Sequence, residues 1–336
     1  MKYDVITIGS AVRDTFLFVD PADAPVIANP NPDPKRKKLI ALEQGAKIDV
    51  VSSARTIGGG GANAAVTFSR MGLKAAAMVR VGNDEAGRVV ARTLASEGIA
   101  TRFVQRDPKL PTAFSTLIVA GSRKRDRVVL TERGASKANN FSPAARSAAK
   151  TKWYCTSALS GRAWKNELRD ISKTAKAHNI SWAWNPGSVQ LKAGLSGVRP
   201  FMKICSVFNV NRDEALELTG AANNPKALLG ALVAAGPERV LLSDGPAGVY
   251  YADAGGMLHM AADPRIKALE PTGAGDALLS GFIAGLIAKN DVAYALDLGL
   301  ANSESVICKI GAQAGILRPS ELAAALKKQN HKLSHA

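Results

Sequence analysis

The chain carries little that would fix it in a membrane, staple it in an oxidising compartment or load it with a metal. None of its apolar runs approaches the roughly 18 uninterrupted residues of a transmembrane helix. Its N-terminus, MKYDVITIGS, lacks the long apolar stretch and small-residue cleavage site of a secretory signal, and reads as a buried strand ending in a glycine turn. The 3 cysteines, Cys155, Cys205 and Cys308, are widely spaced and form no CxxC pair, so we expect buried free thiols in a reducing cytoplasm. The 4 histidines show no metal-ligand spacing. His331 and His335 stand one helical turn apart, but in the polar run KKQNHKLSHA, which we expect to be a flexible tail over 331–336. Aromatic residues make up only 5%, and none is interleaved with the basic clusters, which argues against a stacking platform for single-stranded nucleic acid. No helix-turn-helix, zinc-finger pattern or internal repeat is present, so nucleic acid is not expected as a partner.

What is present is a basic, soluble-type composition. Lys and Arg number 44 against 28 Asp and Glu, a net charge of +16, which favours anionic partners such as nucleotides or phosphorylated metabolites. The denser clusters are Lys35-Arg36-Lys37-Lys38 and Arg123-Lys124-Arg125 with Arg127. The 336 residues suffice for one large domain, or a domain with an elaboration. Short apolar runs (3–9, 74–82, 152–158, 180–184, 207–210, 238–245) alternate with helical stretches (61–72, 84–98, 163–179), and three helices close the chain near 273–288, 291–309 and 319–328. That alternation predicts an α/β fold with a mainly parallel sheet covered on both faces. Two places break it: Phe16 to Val51, which contains a Pro-rich loop, and Thr112 to Glu132. Both read as antiparallel hairpin material with turn residues between, and together they would make one small second sheet, a lid over the strand ends.

Three short motifs carry chemistry. In EPTGAGDALLSGFIAGL (270–286), Gly273 and Gly275 permit unusual backbone and close approach of a ligand, and Asp276 opens an apolar helix. The N–H groups at such a helix start form an anion site. A carboxylate beside an anion makes sense if Asp276 takes a proton from an attacking hydroxyl while the amides of Gly273, Ala274 and Gly275 stabilise a transferring phosphoryl. An Asp capping a helix after a tight turn fits the same residues. In IGGGGANAAV (57–66) the glycines again allow close approach, and Asn63 offers both a donor and an acceptor to hydroxyls; a flexible or tightly packed Gly-rich loop is the other reading. No Walker A loop and no GxGxxG after the first strand accompany it. In NVNRDEALELTG, Asn211 and Glu214 sit one turn apart, a spacing that suits a hydrated Mg²⁺ held against phosphates and equally a reciprocal helix cap.

The order Asp14, GGGGANAA, NRDE, TGAGD resembles the ribokinase-like (PfkB) carbohydrate kinases, over nearly the whole chain. The resemblance implies a three-layer α/β/α sandwich with a mainly parallel central sheet plus a small β-sheet lid. It implies a kinase core over 1–15, 52–111 and 132–330, with a lid from 16–51 and 112–131. It implies ATP-dependent transfer of the γ-phosphoryl to a sugar or nucleoside hydroxyl, with Asp276 as base and Gly273, Ala274 and Gly275 as anion hole. Asp14, at the end of the first strand, Gly59, Gly60 and Asn63 match the substrate site. Arg133, after the last lid strand, would reach the sugar, and points to an acidic or phosphorylated substrate as one alternative; Arg123, Arg125 and Arg127 read as a solvated basic hairpin. Asn185, Asn211, Ser243, Asp244, Gly245, Gly248 and Asn302 match the nucleotide side, and Glu214 a water-mediated Mg²⁺ contact. Many family members bind K⁺ beside the anion hole, but here Glu270 stands where the family usually has Asp. Gly60 replaces a ribokinase lysine, and CTSALSG (155–161) lacks the acidic residue of ribose-specific members. Ribose or fructose is the first expectation for the substrate. A nucleoside, stacked on Phe16, Phe18 or Phe114, is the second, and a non-catalytic sugar- or nucleotide-binding protein the reading of a different class. The open edges of the lid suggest a homodimer.

Overall fold

The computed structural model of the protein describes residues 3–33, 36–120, 126–141 and 150–335. Lys35, Arg123, Lys124 and Arg125, singled out above for their charge, lie outside the described residues.

The strands, in chain order, are β1 (Tyr3–Gly9), β2 (Val12–Val19), β3 (Val26–Asp33), β4 (Arg36–Ile40), β5 (Val50–Gly58), β6 (Ala75–Gly82), β7 (Gln105–Asp107), β8 (Ala113–Ala120), β9 (Asp126–Glu132), β10 (Thr151–Thr156), β11 (Ser181–Trp184), β12 (Val207–Asn211), β13 (Val240–Ser243), β14 (Val249–Asp253), β15 (Gly256–Ala261) and β16 (Lys332–His335). The large sheet has the order β16-β15-β14-β13-β12-β11-β10-β1-β6-β7. From β13 to β7 every pairing is parallel, and β14 to β16 add an antiparallel edge. Strands buried on both faces read as near-continuous apolar runs, and β1 and β13 do, apart from Asp4, Thr7 and Ser243. Successive side chains of β1 show the consequence. Val5 points into one core with Phe68 of helix Gly60–Arg70 and Phe282 of helix Ala274–Lys289. Its neighbour Ile6 points into the other, with Trp182, Trp184, Phe208 and the helices Trp164–Ala177 and Gly194–Met202. Two cores on opposite faces of one sheet make the three layers.

The second sheet has the order β5-β2-β8-β9. Two antiparallel pairs, β2 with β5 and β8 with β9, are joined through a parallel β2–β8 contact. Phe16, Leu117 and Val119 form its small core, closed by Ile310 from the main body. Its strands begin at Val12 and run to Gly58, so they reach past the expected lid limits at 16 and 51. Asp14 therefore lies on a lid strand rather than at the end of β1. The Pro-rich stretch expected as loop forms instead a two-stranded ribbon, β3 with β4, whose register shifts between Ala28 and Asp33.

The tail is a further correction. Lys332–His335 pairs with β15 and extends the main sheet. The His331 side chain is buried there, its Nδ1 2.5 Å from Asp297 Oδ1 and its Nε2 3.0 Å from Glu304 Oε2. Two carboxylates from one helix hold the residue that a polar composition marked as frayed.

Candidate active site

The C-terminal ends of adjacent parallel strands converge, as ligand sites in open α/β sheets do. Gly9 ends β1, Ser157 follows β10, Asn185 follows β11, Asn211 ends β12 and Ser243 ends β13. The helix Ala274–Lys289 points its N-terminus into the same region.

Its cap is Gly273, in the left-handed region at φ 86°, and no side chain caps the first-turn N–H groups. Only glycine takes this conformation cheaply, and a Cβ there would stand 2.6 Å from the Cβ of Ala312. Beside Gly275 a Cβ would meet nothing within 4 Å, so the helix start is open. The turn is held from below: Ser303 donates to the Ala274 carbonyl at 3.0 Å and Asn302 to that of Ala277 at 3.0 Å. Asn302, expected on the nucleotide side, is thus wholly buried, and its carbonyl oxygen accepts from Leu317 N–H. It secures the helix rather than facing the site.

Asp276 does not cap its helix. Its Oδ2 accepts from Asn63 Nδ2 at 2.9 Å. Its Oδ1 faces Gly60, where a Cβ would lie 3.0 Å from it and 2.6 Å from Ser157 Oγ. Burial raises the Asp276 carboxyl above the usual range, and the Asn63 hydrogen bond opposes that shift. Among the described residues the buried Ser157 hydroxyl has no hydrogen-bond partner. Asn63, expected to meet substrate hydroxyls, is 4% exposed and committed to Asp276 and to Gln313. Gly59, at φ 91°, makes the turn that delivers this helix.

On the lid side, Asp14 is buried and accepts from Ser115 Oγ at 2.5 Å. Burial pushes its carboxyl up to about 6, against the Ser115 bond and with the negative charge of Glu270 adding. Glu270 itself is buried; its Oε1 accepts from Thr272 N–H and Oγ1 and stands 3.2 Å from Arg127 Nε of β9. The basic hairpin is therefore not simply solvated: Arg127 ties the lid to the loop that precedes the 274–289 helix. Arg133 is exposed at the start of the 3₁₀ turn Gly134–Ala138. Phe16 is lid core, while Phe114 remains 43% exposed.

Asn211 and Glu214 form a reciprocal cap: Asn211 Oδ1 accepts from Glu214 N–H at 2.9 Å, and Glu214 Oε2 from Asn211 N–H at 2.9 Å. Burial raises the Glu214 carboxyl against the Asn211 hydrogen bond, with the charges of Glu217, Asp213 and, least, Asp276 adding to the shift. Asn211 is in register with Ser243, and Arg212 donates to Asp244 at 2.8 Å, which brings the cap and the 243–248 turn together. Gly245 is exposed in that turn. Gly248 closes it at φ 100°, where a Cβ would stand 2.1 Å from the Met260 carbonyl oxygen. Asn185 donates to the Asn209 carbonyl at 2.8 Å. Ser115, Ser157, Arg127 and Gln313 are additions that no motif signalled. Among the described residues no group of three or more His, Cys, Asp or Glu side chains is placed to hold a metal ion.

A sequence profile described as pfkB family carbohydrate kinase matches residues 27–318. The ribokinase of Haemophilus influenzae is 26% identical over 268 residues, which cover 77% of this chain and 83% of that protein. Arabidopsis thaliana ribokinase, solved with ribose and ATP, matches with a TM-score of 0.80 at 16% identity over 97% of this chain and 99% of the other. A nucleoside kinase of Burkholderia thailandensis, solved with inosine, matches with a TM-score of 0.76 at 16% identity over 97% and 98%.

Proposed function

The chain belongs to the pfkB family of carbohydrate kinases, and from that premise we propose that it transfers the γ-phosphoryl of ATP to the hydroxymethyl group of a neutral sugar of the ribose or fructose type. The observation that carries the reading is Asp276. One carboxylate oxygen is held by Asn63, and the other faces the space left by Gly60, beside a helix start that no side chain caps.

In this reading Asp14 and Ser157 bind substrate hydroxyls, with Gly59 and Gly60 leaving room for the ring. Asp276 Oδ1 accepts the proton of the attacking hydroxyl as its oxygen bonds to phosphorus and the bond to the ADP oxygen breaks. The amides of Gly273, Ala274 and Gly275 stabilise the charge on the transferring group. Asn185, Asn211, Ser243, Asp244, Gly245 and Gly248 line the nucleotide side. Mg²⁺ fits Glu214, whose second oxygen is not needed by the cap; held there through water, it would neutralise phosphate charge. A monovalent cation fits the 270 loop poorly, because the Arg127 guanidinium already supplies positive charge beside Glu270. The lid excludes water from the reacting centre.

A nucleoside acceptor is the second reading, favoured by the exposed Phe114 ring on β8. The exposed Val50 and Val51 on the edge strand β5 also favour a homodimer through the lid, which light scattering tests. The decisive experiment measures ADP release with Mg-ATP and a panel of sugars, nucleosides and sugar phosphates. Acceptor-dependent release on a pentose or hexose is expected. Release on nucleosides alone would replace the sugar with the second reading, and none on any acceptor would overturn both.

A further inference from the structure

The buried amide beside the base has two faces, and the chemistry depends on which one Asp276 sees. An Asn carbonyl turned to a carboxylate sets two acceptors against each other, whereas its NH₂ group stabilises the ionised form. Asn63 cannot settle this alone, since rotation about one bond exchanges the two. Gln313 adds the second constraint: its Nε2 donates to Asn63 Oδ1 at 3.0 Å while Asn63 Nδ2 donates to Asp276 Oδ2 at 2.9 Å, so the hydrogen bonds run in one direction from Gln313 to the carboxylate. Both amides are more than nine-tenths buried, so water does not compete.

We propose that Gln313 is a positioning residue for phosphoryl transfer: it locks the Asn63 amide so that Asp276 keeps one oxygen held and the other free toward Gly60. The inference rests on the kinase reading for its consequence in turnover, but on geometry for the lock itself. The loop that carries Gln313 is built to hold it. Arg70 Nη1 donates to the Gln313 carbonyl at 2.9 Å and to that of Ile316 at 3.2 Å, and Arg70 is itself paired with Glu97 at 2.6 Å. Asn63 and Arg70 are seven residues apart on one helix, two turns along the same face. The loop is thus stapled to that face twice, once through backbone and once through the amide pair. Ala312, next to Gln313, packs against Gly273, so the same loop also supports the anion hole.

The other titratable groups that feel Asp276 are Cys155 on β10, whose thiol burial keeps neutral, and Glu214 across the site. Neither touches the Asn63 amide, so a change at position 313 reaches Asp276 through Asn63.

The test compares wild type with Gln313→Met, which keeps the shape and removes the donor, and Gln313→Glu, which once ionised at the alkaline end of the series can only accept. Asp276 is titrated by carboxyl ¹³C NMR, and kcat and KM are measured across pH. In Gln313→Met the Asp276 pKa should rise by about one unit and kcat fall about tenfold, with KM for both substrates within about twofold. Gln313→Glu should lose more, because it draws the Asn63 NH₂ group away from the base. Combining Gln313→Met with Asn63→Ala should add nothing to Asn63→Ala alone. Folded variants with an unchanged Asp276 titration, or additive losses in the double variant, would overturn the lock. Absence of wild-type turnover on every acceptor would overturn the kinase reading instead, and the NMR titration would still judge the lock. If Gln313→Met does not fold, Gln313→Glu alone decides by the same titration.

Discussion

Two helices in this molecule begin almost alike and end up opposite. Arg212–Thr219 and Ala274–Lys289 both follow a turn at the sheet's C-terminal edge, and both carry an acid at the third helical position, Glu214 and Asp276. In the first, the cap residue Asn211 and the acid satisfy each other's N–H groups. In the second, the cap is a glycine with no side chain to offer, and the acid turns away to Asn63. One helix start is closed by its own side chains; the other has no side-chain cap, its Ala274 N–H turning back to the Pro271 carbonyl, and carries a half-buried carboxylate. The difference teaches where to look for chemistry: the cap position, more than the acid, separates a helix start finished by its own side chains from one left without a side-chain cap.

The largest effects should come from filling or neutralising the open start. Asp276→Asn should lower kcat by about 10³-fold, the scale of a lost general base, while ATP affinity stays near wild type. Turnover near normal would place the proton acceptor elsewhere. Gly273→Ala forces a Cβ into the left-handed region and against Ala312. It should cost about 2–3 kcal/mol of stability and reduce kcat on the order of 10- to 100-fold, read from urea unfolding and initial rates. A variant that is destabilised with full turnover would make Gly273 a folding residue only.

Much of this was legible because the physical signals are local. Alternating apolar runs and amphipathic stretches mark the parallel sheet, and the glycine-flanked helix start at 273–276 stands out in composition. The strand pairs 16–51 and 112–131 announced a second sheet. What was hidden depends on partners distant in sequence. Asn302 looks like a ligand residue until Ala277 and Leu317 take both ends of its amide. Asn63 looks free until Gln313 appears 250 residues later. Arg127 sits in a run of basic residues, and nothing local says that Glu270 waits across the interface. The polar strand Lys332–His335 carries no apolar periodicity because it lies at a sheet edge, held by backbone pairing and by the histidine side chain before it.

The closed helix start should answer more quietly. Glu214→Gln retains an acceptor for the Asn211 N–H but removes the charge, so it separates capping from metal contact. The melting temperature should hold, while the Mg²⁺ concentration for half-maximal rate rises several-fold, as expected for one lost carboxylate contact through water. A fall in melting temperature with unchanged Mg²⁺ dependence would leave Glu214 as a cap alone.

The smallest effect concerns a second pair of carboxylates that, unlike Asp276, have their charge answered. Asp297 and Glu304 hold His331; their hydrogen bonds and charge, outweighing burial, raise the imidazole to about 9 from its usual 6.5. A base whose folded pKa lies above its unfolded value stabilises the fold fully below the unfolded value and ceases to do so above the folded one. The His331 contribution should therefore be complete below about pH 6.5 and fade as pH rises through about 9. Urea unfolding of wild type and His331→Gln at a series of pH values measures it as a stability gap, on the order of 2 kcal/mol at low pH, that closes toward pH 10. A gap independent of pH would mean that His331 acts by shape alone, and that the C-terminal strand is held by its pairing with β15 rather than by charge.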